Sequence, residues 1–302
     1  MIQQYANHHS GKIVMLGFGA VAQCALPMII KHIGINQKII ILDLHDNRYR
    51  IAPEHQQHVT FNQTTITKEN YQQELARYIS AGDILIDLAY DIDCCAILDW
   101  CKKNNVRYLN TSVELWDPYT NAADLNPTDR TLYARHMRLR AMIKKWENNN
   151  GPSAAIDHGA NPGLISHFAK KALIDIAQNI TESSDDLKKI KNLTEAIDTK
   201  NFAHLAYLLN VRVIHISERD TQISNIPRKP NEFVNTWSVA GLFEEGIAPA
   251  ELGWGTHEKK LPANAYTHST GPQNQICLAQ MGINTWVRSW VPVHGSIYGM
   301  VI

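Results

Sequence analysis

The first half of the chain alternates short apolar runs with longer stretches in which apolar residues recur at helical spacing. Five such runs are found near residues 12–16, 38–42, 58–61, 83–88 and 106–110. Runs that are apolar almost throughout and are separated by helices predict parallel strands that are covered on both faces. With right-handed crossovers between the strands, this pattern predicts an α/β fold with a doubly wound parallel sheet.

Two closely spaced glycines join the first predicted strand to the first predicted helix. Gly17 allows a tight turn that a side chain would obstruct, and Gly19 lets the backbone approach a ligand. A helix that begins near Ala20 points unpaired N–H groups and a positive dipole end at an anion. Ala22 stands in the place of the third glycine of the dinucleotide pattern. This join therefore predicts a Rossmann domain that holds a pyrophosphate against Gly17, Gly19, Ala20 and Val21.

The second apolar run ends at Asp43, where a carboxylate would bind the hydroxyls of the adenosine ribose and repel a 2′-phosphate. This position favours NAD over NADP, although Arg48 and Arg50 follow closely and oppose that preference. Ligands of doubly wound sheets lie outside the carboxyl ends of the strands. We therefore expect Ala89 and Thr111, which follow the fourth and fifth runs, to lie near the cofactor as well.

Charge and cysteine content narrow the class of protein further. The 29 basic and 29 acidic residues cancel, so no overall basic field favours nucleic acid. No apolar run is long enough to span a bilayer, and residues 1–10 lack the apolar core of a signal peptide. Of the five cysteines, Cys94, Cys95 and Cys101 share one predicted helix without the spacing of a zinc site, and we expect them to be buried thiols with no metal bound. We expect a cytoplasmic protein that binds neither nucleic acid nor a membrane.

The pattern changes after Asp157, following a predicted long basic helix at 128–146 and a sixth strand at 153–156. Asn161 before Pro162 predicts a helix start, with asparagine as the cap and proline in the first turn. Apolar residues then recur on one helical face, at Leu164, Ile165, Phe168, Ala172, Leu173 and Ile176. We expect a Rossmann domain over residues 1–157 and a second domain after it.

The second domain, over residues 158–302, is predicted to be an α+β substrate and dimerisation domain. Its charged stretch at 181–200 predicts a solvated helical excursion, and 211–217 and 233–239 predict strands of a second sheet. The final stretch, 285–302, is rich in tryptophan and β-branched residues and ends within a strand-like pattern. Because natural termini are usually polar and exposed, this ending predicts a domain that is truncated at its C-terminus.

Acids and aromatics gather where loops of the second half are expected to meet the cofactor. Glu218 closes one predicted strand, Trp237 lies in the next and Glu245 follows it. Together with the neighbouring Asp220 and Glu244, and with Asp91, Asp93 and Glu114 of the first domain, they predict an acidic and aromatic pocket for a cationic amine. Carboxylates neutralise an ammonium group, and the face of a tryptophan ring attracts it. The alternative is that each acid is solvated and the tryptophan belongs to the core.

Two residues of the segment after the sixth strand are further candidates. His158 is a candidate proton carrier because imidazole titrates near neutrality, and it is equally a candidate for a structural role. Asn161 could offer its amide to the nicotinamide or to the substrate, although its capping role already explains its presence.

Several motifs together resemble the bacterial homospermidine synthases, within the wider saccharopine dehydrogenase-like group. The first of these motifs, Gly-Phe-Gly-Ala-Val-Ala at Gly17, is generic, whereas the later ones are specific in combination. They are Asp-Leu-Ala-Tyr-Asp at Asp87, Asn-Thr-Ser-Val-Glu-Leu-Trp at Asn110, Asp-His-Gly-Ala-Asn-Pro-Gly-Leu at Asp157, Ser-Glu-Arg-Asp at Ser217 and Asn-Thr-Trp-Ser at Asn235.

The resemblance implies an NAD-dependent aminobutyl transfer that makes homospermidine from putrescine, or from putrescine and spermidine, through imine intermediates. The same cofactor would take up a hydride and return it. The resemblance also implies that Trp237 is a cation–π platform and that Glu218 and Glu245 hold ammonium groups. Asn161, Asp93 and Glu114 would line the pocket, and Asn161 would be one of the catalytic residues. The family further suggests a homodimer.

Two other functions stay open. One is a saccharopine or carboxynorspermidine type of dehydrogenase, whose carboxylate-bearing substrates would call for arginine or lysine in the pocket. The acids predicted there argue against it. The other is a non-catalytic module that senses NAD, which would bind the cofactor without any response to a diamine.

Overall fold

The computed structural model describes residues 11–33, 38–118, 120, 124–148, 150–216, 223, 225–232, 238–291 and 295–300, with the backbone alone for 287–291 and 295–300. Glu218, Trp237 and residues 233–237 of the predicted strand over 233–239 lie outside the described residues.

A six-stranded parallel sheet forms the centre of the first half of the chain. Its strands are β1 (Ile13–Leu16), β2 (Ile39–Asp43), β3 (Val59–Gln63), β4 (Ile84–Asp87), β5 (Arg107–Asn110) and β6 (Ala154–Ala155). They lie in the order β3-β2-β1-β4-β5-β6, with every pairing parallel. This is the strand order of the doubly wound dinucleotide-binding fold. The predicted sheet is therefore confirmed.

Helices cover both faces of this sheet: α1 (Ala20–Ile33), α2 (Tyr71–Tyr78), α3 (Cys94–Lys103) and α4 (Leu132–Ile143). Alternate residues of a strand point to opposite faces. Accordingly, Ile13 and Met15 of β1 pack in one cluster with buried residues of α1. Val14 and Leu16 pack in another cluster with residues of α2, α3 and α4. Both faces of β1 are thus buried, which explains why the strand is apolar throughout.

The basic helix α4 is shorter than the predicted 128–146. A 3₁₀ turn covers Pro127–Arg130, and the helix then begins at Leu132. The Thr131 hydroxyl caps it by accepting a hydrogen bond from the backbone N–H of Ala134. The carboxylate of Glu251 accepts two more backbone N–H groups of the first turn. This distant acid fixes the start of the helix, and a local sequence pattern does not reveal it.

A second compact unit consists of residues 158–232 and 255–260. Its helices are α5 (Leu164–Ser183), α6 (Leu187–Asp198) and α7 (Phe202–Leu208). The helical prediction for 181–200 is confirmed, but the segment is not simply solvated. Leu193 and Ala196 of α6 pack against Leu173 and Ala177 of α5 in a small core.

The predicted start of α5 at Asn161 and Pro162 is wrong, because the helix begins at Leu164 after Gly163. The loop before it satisfies the first backbone N–H groups with its own carbonyls, so no side-chain cap is needed. Leu164 N–H donates to Gly159 at 3.0 Å, and Ile165 N–H donates to Ala160 at 3.1 Å. The predicted apolar face is also largely exposed in the described structure; its exposed members are Leu164, Phe168, Ala172 and Ile176.

The later part of the chain contributes α8 (Val239–Ile247) and the strands β7 (Pro249–Gly253), β8 (Ala265–Thr267), β9 (Gln275–Met281), β10 (Trp286–Val291) and β11 (Gly295–Met300). One antiparallel sheet has the order β7-β9-β8, and β10 pairs with β11. Residues 233–254 and 261–302 group with the nucleotide-binding half. No helix in the described ranges combines the length and apolar character needed to cross a bilayer.

Two predicted strands of the second half need correction. Residues 211–216 form no strand in the described structure, since a strand requires a partner that an alternating pattern alone does not supply. Of the predicted strand over 233–239, only positions 238 and 239 lie within the described residues, and a helix begins there at Val239. Ser238 caps that helix by accepting the N–H of Gly241 at 2.9 Å.

Candidate functional site

The turn between β1 and α1 has the geometry of a phosphate-binding loop. Gly17 has a positive φ of 84°, and a Cβ atom there would lie 2.8 Å from the carbonyl oxygen of Leu88. Only glycine fits this position without strain. Gly19 faces open space, since a Cβ atom at this position would meet no other atom within 4 Å, so the backbone is accessible to a ligand. The side chain of Val21 in the first turn of the helix is more than half exposed.

Asp43 ends β2 beside this turn and holds it in place. Its Oδ2 accepts the backbone N–H of Phe18 at 2.6 Å, and its Oδ1 accepts the N–H of His45 at 2.7 Å. Arg48, which opposed the NAD preference in the sequence, is bound to Asp46 through two hydrogen bonds. The residues present therefore fit a dinucleotide: a strained glycine, an open glycine, a helix N-terminus and an acid at the end of the second strand.

The carboxyl ends of β4 and β5 are fixed by a buried polar network. The hydroxyl of Tyr108 donates to Oδ2 of Asp87 at 2.7 Å, and the N–H of Ala89 donates to the other oxygen at 3.3 Å. Burial raises the pKa of Asp87 to about 6. The network holds Ala89 in place next to Gly17. The two residues are so close that a Cβ on Gly17 would touch Ala89 as well as Leu88. Thr111 follows β5 directly and is half-buried.

Four carboxylates gather next to these strand ends, from two loops of the sheet and from α8. They are Asp91, Glu114, Glu244 and Glu245. Burial raises the pKa of Glu114 to about 7, and the charges of Glu244 and Asp91 add to the effect. Burial and the charge of Glu244 likewise raise the pKa of Glu245 to about 7. Burial raises the pKa of Asp91 too, with a further contribution from Glu244. We call these four residues the carboxylate pocket.

A guanidinium group compensates part of this charge. Arg135 of α4 forms an ion pair with Glu244 and donates to the carbonyl oxygen of Val113 at 3.0 Å. Glu114 receives a hydrogen bond from the hydroxyl of Ser112 at 2.8 Å, but its buried Oε2 atom has no hydrogen-bond partner among the described residues. An ammonium group placed there would supply the missing donor and the missing positive charge.

The other predicted site residues have different surroundings. Asp93 is buried, caps α3 by accepting the N–H of Ala96 at 2.9 Å and pairs with Arg138 at 2.6 Å. Both of its oxygens are thus engaged in the structure. Asn161 belongs to the second unit, where it is exposed and precedes Pro162 in a cis peptide bond. His158 also lies there, with its Nε2 3.1 Å from that of His167.

Three residues that the sequence did not single out lie beside the pocket: Arg135, His136 and Asp157. His136 Nε2 is 2.8 Å from Oδ2 of Asp157 at the end of β6. Arg135 and His136 lie on a helix whose basic character was evident. Their acidic partners are far away in sequence, so no local motif could have linked them.

The turn after β1 and the acid at the end of β2 define a dinucleotide-binding α/β fold, with the carboxylate pocket next to its strand ends. Models of the saccharopine dehydrogenase NADP binding domain and of the saccharopine dehydrogenase C-terminal domain match residues 13–154 and 159–300, respectively. Between them they span nearly the whole chain, and the chain belongs to the saccharopine dehydrogenase-like group.

Within that group, the chain is similar to homospermidine synthases. It is 36% identical to the enzyme of Blastochloris viridis over 296 residues, which covers 97% of this chain and 59% of the relative. It is 35% identical to that of Mesorhizobium japonicum over 315 residues, which covers 100% and 62%. The crystal structure of the Legionella pneumophila homospermidine synthase in complex with NAD matches with a TM-score of 0.77 and 34% identity, covering 97% of this chain and 59% of that one. The chain thus spans about three fifths of the length of these relatives. The resemblance read from its motifs is confirmed.

Proposed function

We propose that this chain takes part in NAD-dependent aminobutyl transfer, which makes homospermidine from putrescine or from putrescine and spermidine. The relatives named homospermidine synthase support this function, and so does the Legionella structure with NAD. Because the chain spans only part of those relatives, the activity, the substrates and the partners of the whole protein are all part of the proposal.

The observation that carries the proposal is the unbalanced negative charge of the carboxylate pocket. Oε2 of Glu114 is buried without a hydrogen-bond partner in the described structure, and Glu245 lies beside the charge of Glu244. The guanidinium that the described residues bring beside them is already bound to Glu244. A diamine such as putrescine carries an ammonium at each end at neutral pH and would supply two positive charges. A substrate with a carboxylate would instead meet like charges, which disfavours the dehydrogenase alternative.

We assign the cofactor to the turn after β1. Gly17, Gly19, Ala20 and Val21 would hold the pyrophosphate through backbone N–H groups. Asp43 would bind the adenosine ribose, which favours NAD over NADP. Ala89 and Thr111 are proposed to line the nicotinamide end, and the role proposed for Asn161 in cofactor binding rests on the resemblance alone. When bound, NAD supplies a ring that takes up a hydride and can return it.

We assign the substrate ammonium groups to Glu114 and Glu245. Glu218 and Trp237 lie outside the described residues, and their roles as ammonium ligand and cation–π platform rest on the resemblance. Asp93 is proposed to act indirectly, since its hydrogen bond to Ala96 and its ion pair with Arg138 fix the loop before α3.

Product analysis with putrescine and substoichiometric NAD tests this function. Aminobutyl transfer predicts many homospermidine molecules per NAD and no lasting NADH, because the hydride returns to the substrate. NADH formed or consumed in proportion to product would instead indicate a dehydrogenase. NAD binding without any product would indicate a sensing module. A homodimer and a cytoplasmic location belong to the same proposal, and light scattering tests the first of these.

A further inference from the structure

We propose that His136 and Asp157 form a proton-transfer dyad that serves the carboxylate pocket, with His136 accepting a proton from the bound ammonium. This inference deepens the proposed function and rests on it. The sequence offered His158 as a candidate proton carrier, and the structure adds this pair.

The geometry of the pair is that of an imidazole oriented by a carboxylate. His136 Nε2 lies 2.8 Å from Oδ2 of Asp157, so the proton of a neutral imidazole is held on Nε2. The other ring nitrogen, Nδ1, is then left with a lone pair that can accept a proton. The Asp157 side chain is 6% exposed, whereas that of His136 is 33% exposed. The carboxylate is thus buried behind an imidazole that remains accessible.

Asp157 is held in this position by the network at the strand ends. Its φ of 55° is in the left-handed region, which is uncommon for a residue other than glycine. The backbone N–H of Asp157 donates to Oδ1 of Asn110 at 2.7 Å, and the side-chain amide of Asn110 donates to the hydroxyl of Tyr108 at 3.0 Å. Tyr108 is in turn bound to Asp87. The buried network therefore orients the carboxylate toward α4.

The dyad lies next to the pocket. The charge of Asp157 contributes to the raised pKa of Glu245, so the two carboxylates sense each other. Arg135, the neighbour of His136 on α4, reaches Glu244. Of the other charged groups described around α4, Arg138 pairs with Asp93 of the preceding loop, and Glu251 binds the first turn of the helix. Asp129 and Arg130 lie in the turn before the helix, and Arg140 follows in its last turn.

The step assigned to the dyad is a proton transfer alone. An alkylammonium has no lone pair on nitrogen, and its carbon cannot give up a hydride until one N–H bond breaks. That proton would pass to Nδ1 of His136, and the electron pair of the N–H bond would remain on nitrogen as the amine lone pair. The resulting imidazolium is stabilised by Asp157, and it can return the proton when ammonia leaves.

The test compares His136→Gln with His204→Gln, a substitution of an exposed histidine on α7 of the second unit. Glutamine keeps a donor that can reach Asp157 but cannot carry a proton. We expect His136→Gln to lower kcat by about 100-fold or more, as is typical for the loss of a general base. The acid side of its pH–rate profile should become shallower, while thermal stability and NAD affinity stay close to those of the wild type. His204→Gln should leave all of these unchanged.

A second variant, Asp157→Asn, guards against a folding defect in the first, and is expected to lower kcat in the same way. A wild-type kcat and pH profile for His136→Gln would overturn the inference. If the wild type makes no homospermidine, the proposed function fails. The dyad is then tested by NMR of the histidine side chains. The signal of the His136 imidazole is the one that disappears in His136→Gln. Putrescine should shift this signal, and a signal that does not respond would overturn the dyad.

Discussion

The nucleotide turn and the carboxylate pocket lie at the same edge of one sheet but are built in different ways. The turn is formed by the backbone of consecutive residues from Gly17 onward, with Asp43 fastening it through the N–H of Phe18. The pocket is formed by side chains from separate elements, with Arg135 reaching Glu244 from α4. The first has its shape fixed by backbone geometry before any ligand binds. The second keeps an excess of negative charge.

This difference has a physical consequence for what each region can bind. A turn whose N–H groups already point outward binds an anion without rearrangement. A pocket with buried carboxylates is costly by itself and becomes favourable only when a cation enters it. Substitutions in the turn should therefore weaken ligand binding by changing the shape of the backbone. Substitutions in the pocket should weaken it by changing the charge.

The largest effect is expected for Gly17→Ala. Left-handed backbone at a residue with a Cβ costs about 1–2 kcal/mol, and crowding against Leu88 costs about 1–3 kcal/mol more. We expect a lower melting temperature and a loss of NAD affinity of about 100-fold, because the turn must shift to relieve the contact. Calorimetric titration with NAD and thermal unfolding measure both.

Gly82→Ala is the matched control for this prediction. Gly82 also has a positive φ, of 89°, but a Cβ there would meet no atom within 4 Å. It should lower stability without altering NAD affinity. Equal losses of NAD affinity in the two variants would show that the shape of the turn is not what matters.

A smaller effect is expected for Glu114→Gln and Glu245→Gln. Each removes a charge-assisted hydrogen bond to an ammonium group, which contributes about 1.5–3 kcal/mol. Putrescine affinity should fall at least tenfold, while NAD affinity stays unchanged. Glu147→Gln, at an exposed acid after α4, is the control. If all three variants bind putrescine like the wild type, the pocket is not the amine site.

The raised pKa values predict how stability depends on pH. Glu114 and Glu245 keep their protons in the folded protein up to about pH 7, whereas their ordinary value is 4.5. Between these values the folded state binds more protons than the unfolded state, so the free energy of unfolding falls as pH rises through this window. Urea unfolding across pH 5–7 measures the fall. The Glu114→Gln variant should fall less steeply, and an identical slope would contradict the assignment.

The smallest effect is expected for Asp43→Asn. The amide keeps one of the two oxygens that accept the N–H groups of Phe18 and His45, and it removes the charge that repels a 2′-phosphate. We expect NAD affinity to fall about tenfold or less and the preference over NADP to narrow, as measured by titration with each cofactor. An undiminished preference would mean that residues other than Asp43 select the cofactor.

The sheet and the nucleotide turn could be predicted because their signals are local. Buried parallel strands are apolar throughout, and Gly17 and Gly19 mark a turn with few alternatives. The start of α5 could not be predicted, since the carbonyls of Gly159 and Ala160 take the place of the expected cap at Asn161. Hydrogen bonds within the loop thus decide where the helix begins, and they override the preference of asparagine for the cap position.

The pocket could be predicted only in part. Acids at strand ends suggested Glu114 and Glu245, but composition does not say which acids are paired. Arg135 and Glu244 are 109 residues apart, and His136 of α4 and Asp157 after β6 are 21 residues apart. Asp93 is an acid that the sequence predicted to lie free in the pocket. In the structure it caps α3 and pairs with Arg138, so its carboxylate is already neutralised.

The central claim is that the pocket is short of positive charge until a diamine enters it, and proton release on binding tests this most directly. Putrescine is titrated into the protein without added NAD near pH 7, in buffers of different ionisation enthalpy. Because Glu114 and Glu245 are partly protonated there, binding of a dication should release protons, and the measured heat should depend on the buffer. Putrescine binding with a heat independent of the buffer, or with proton uptake, would contradict the account.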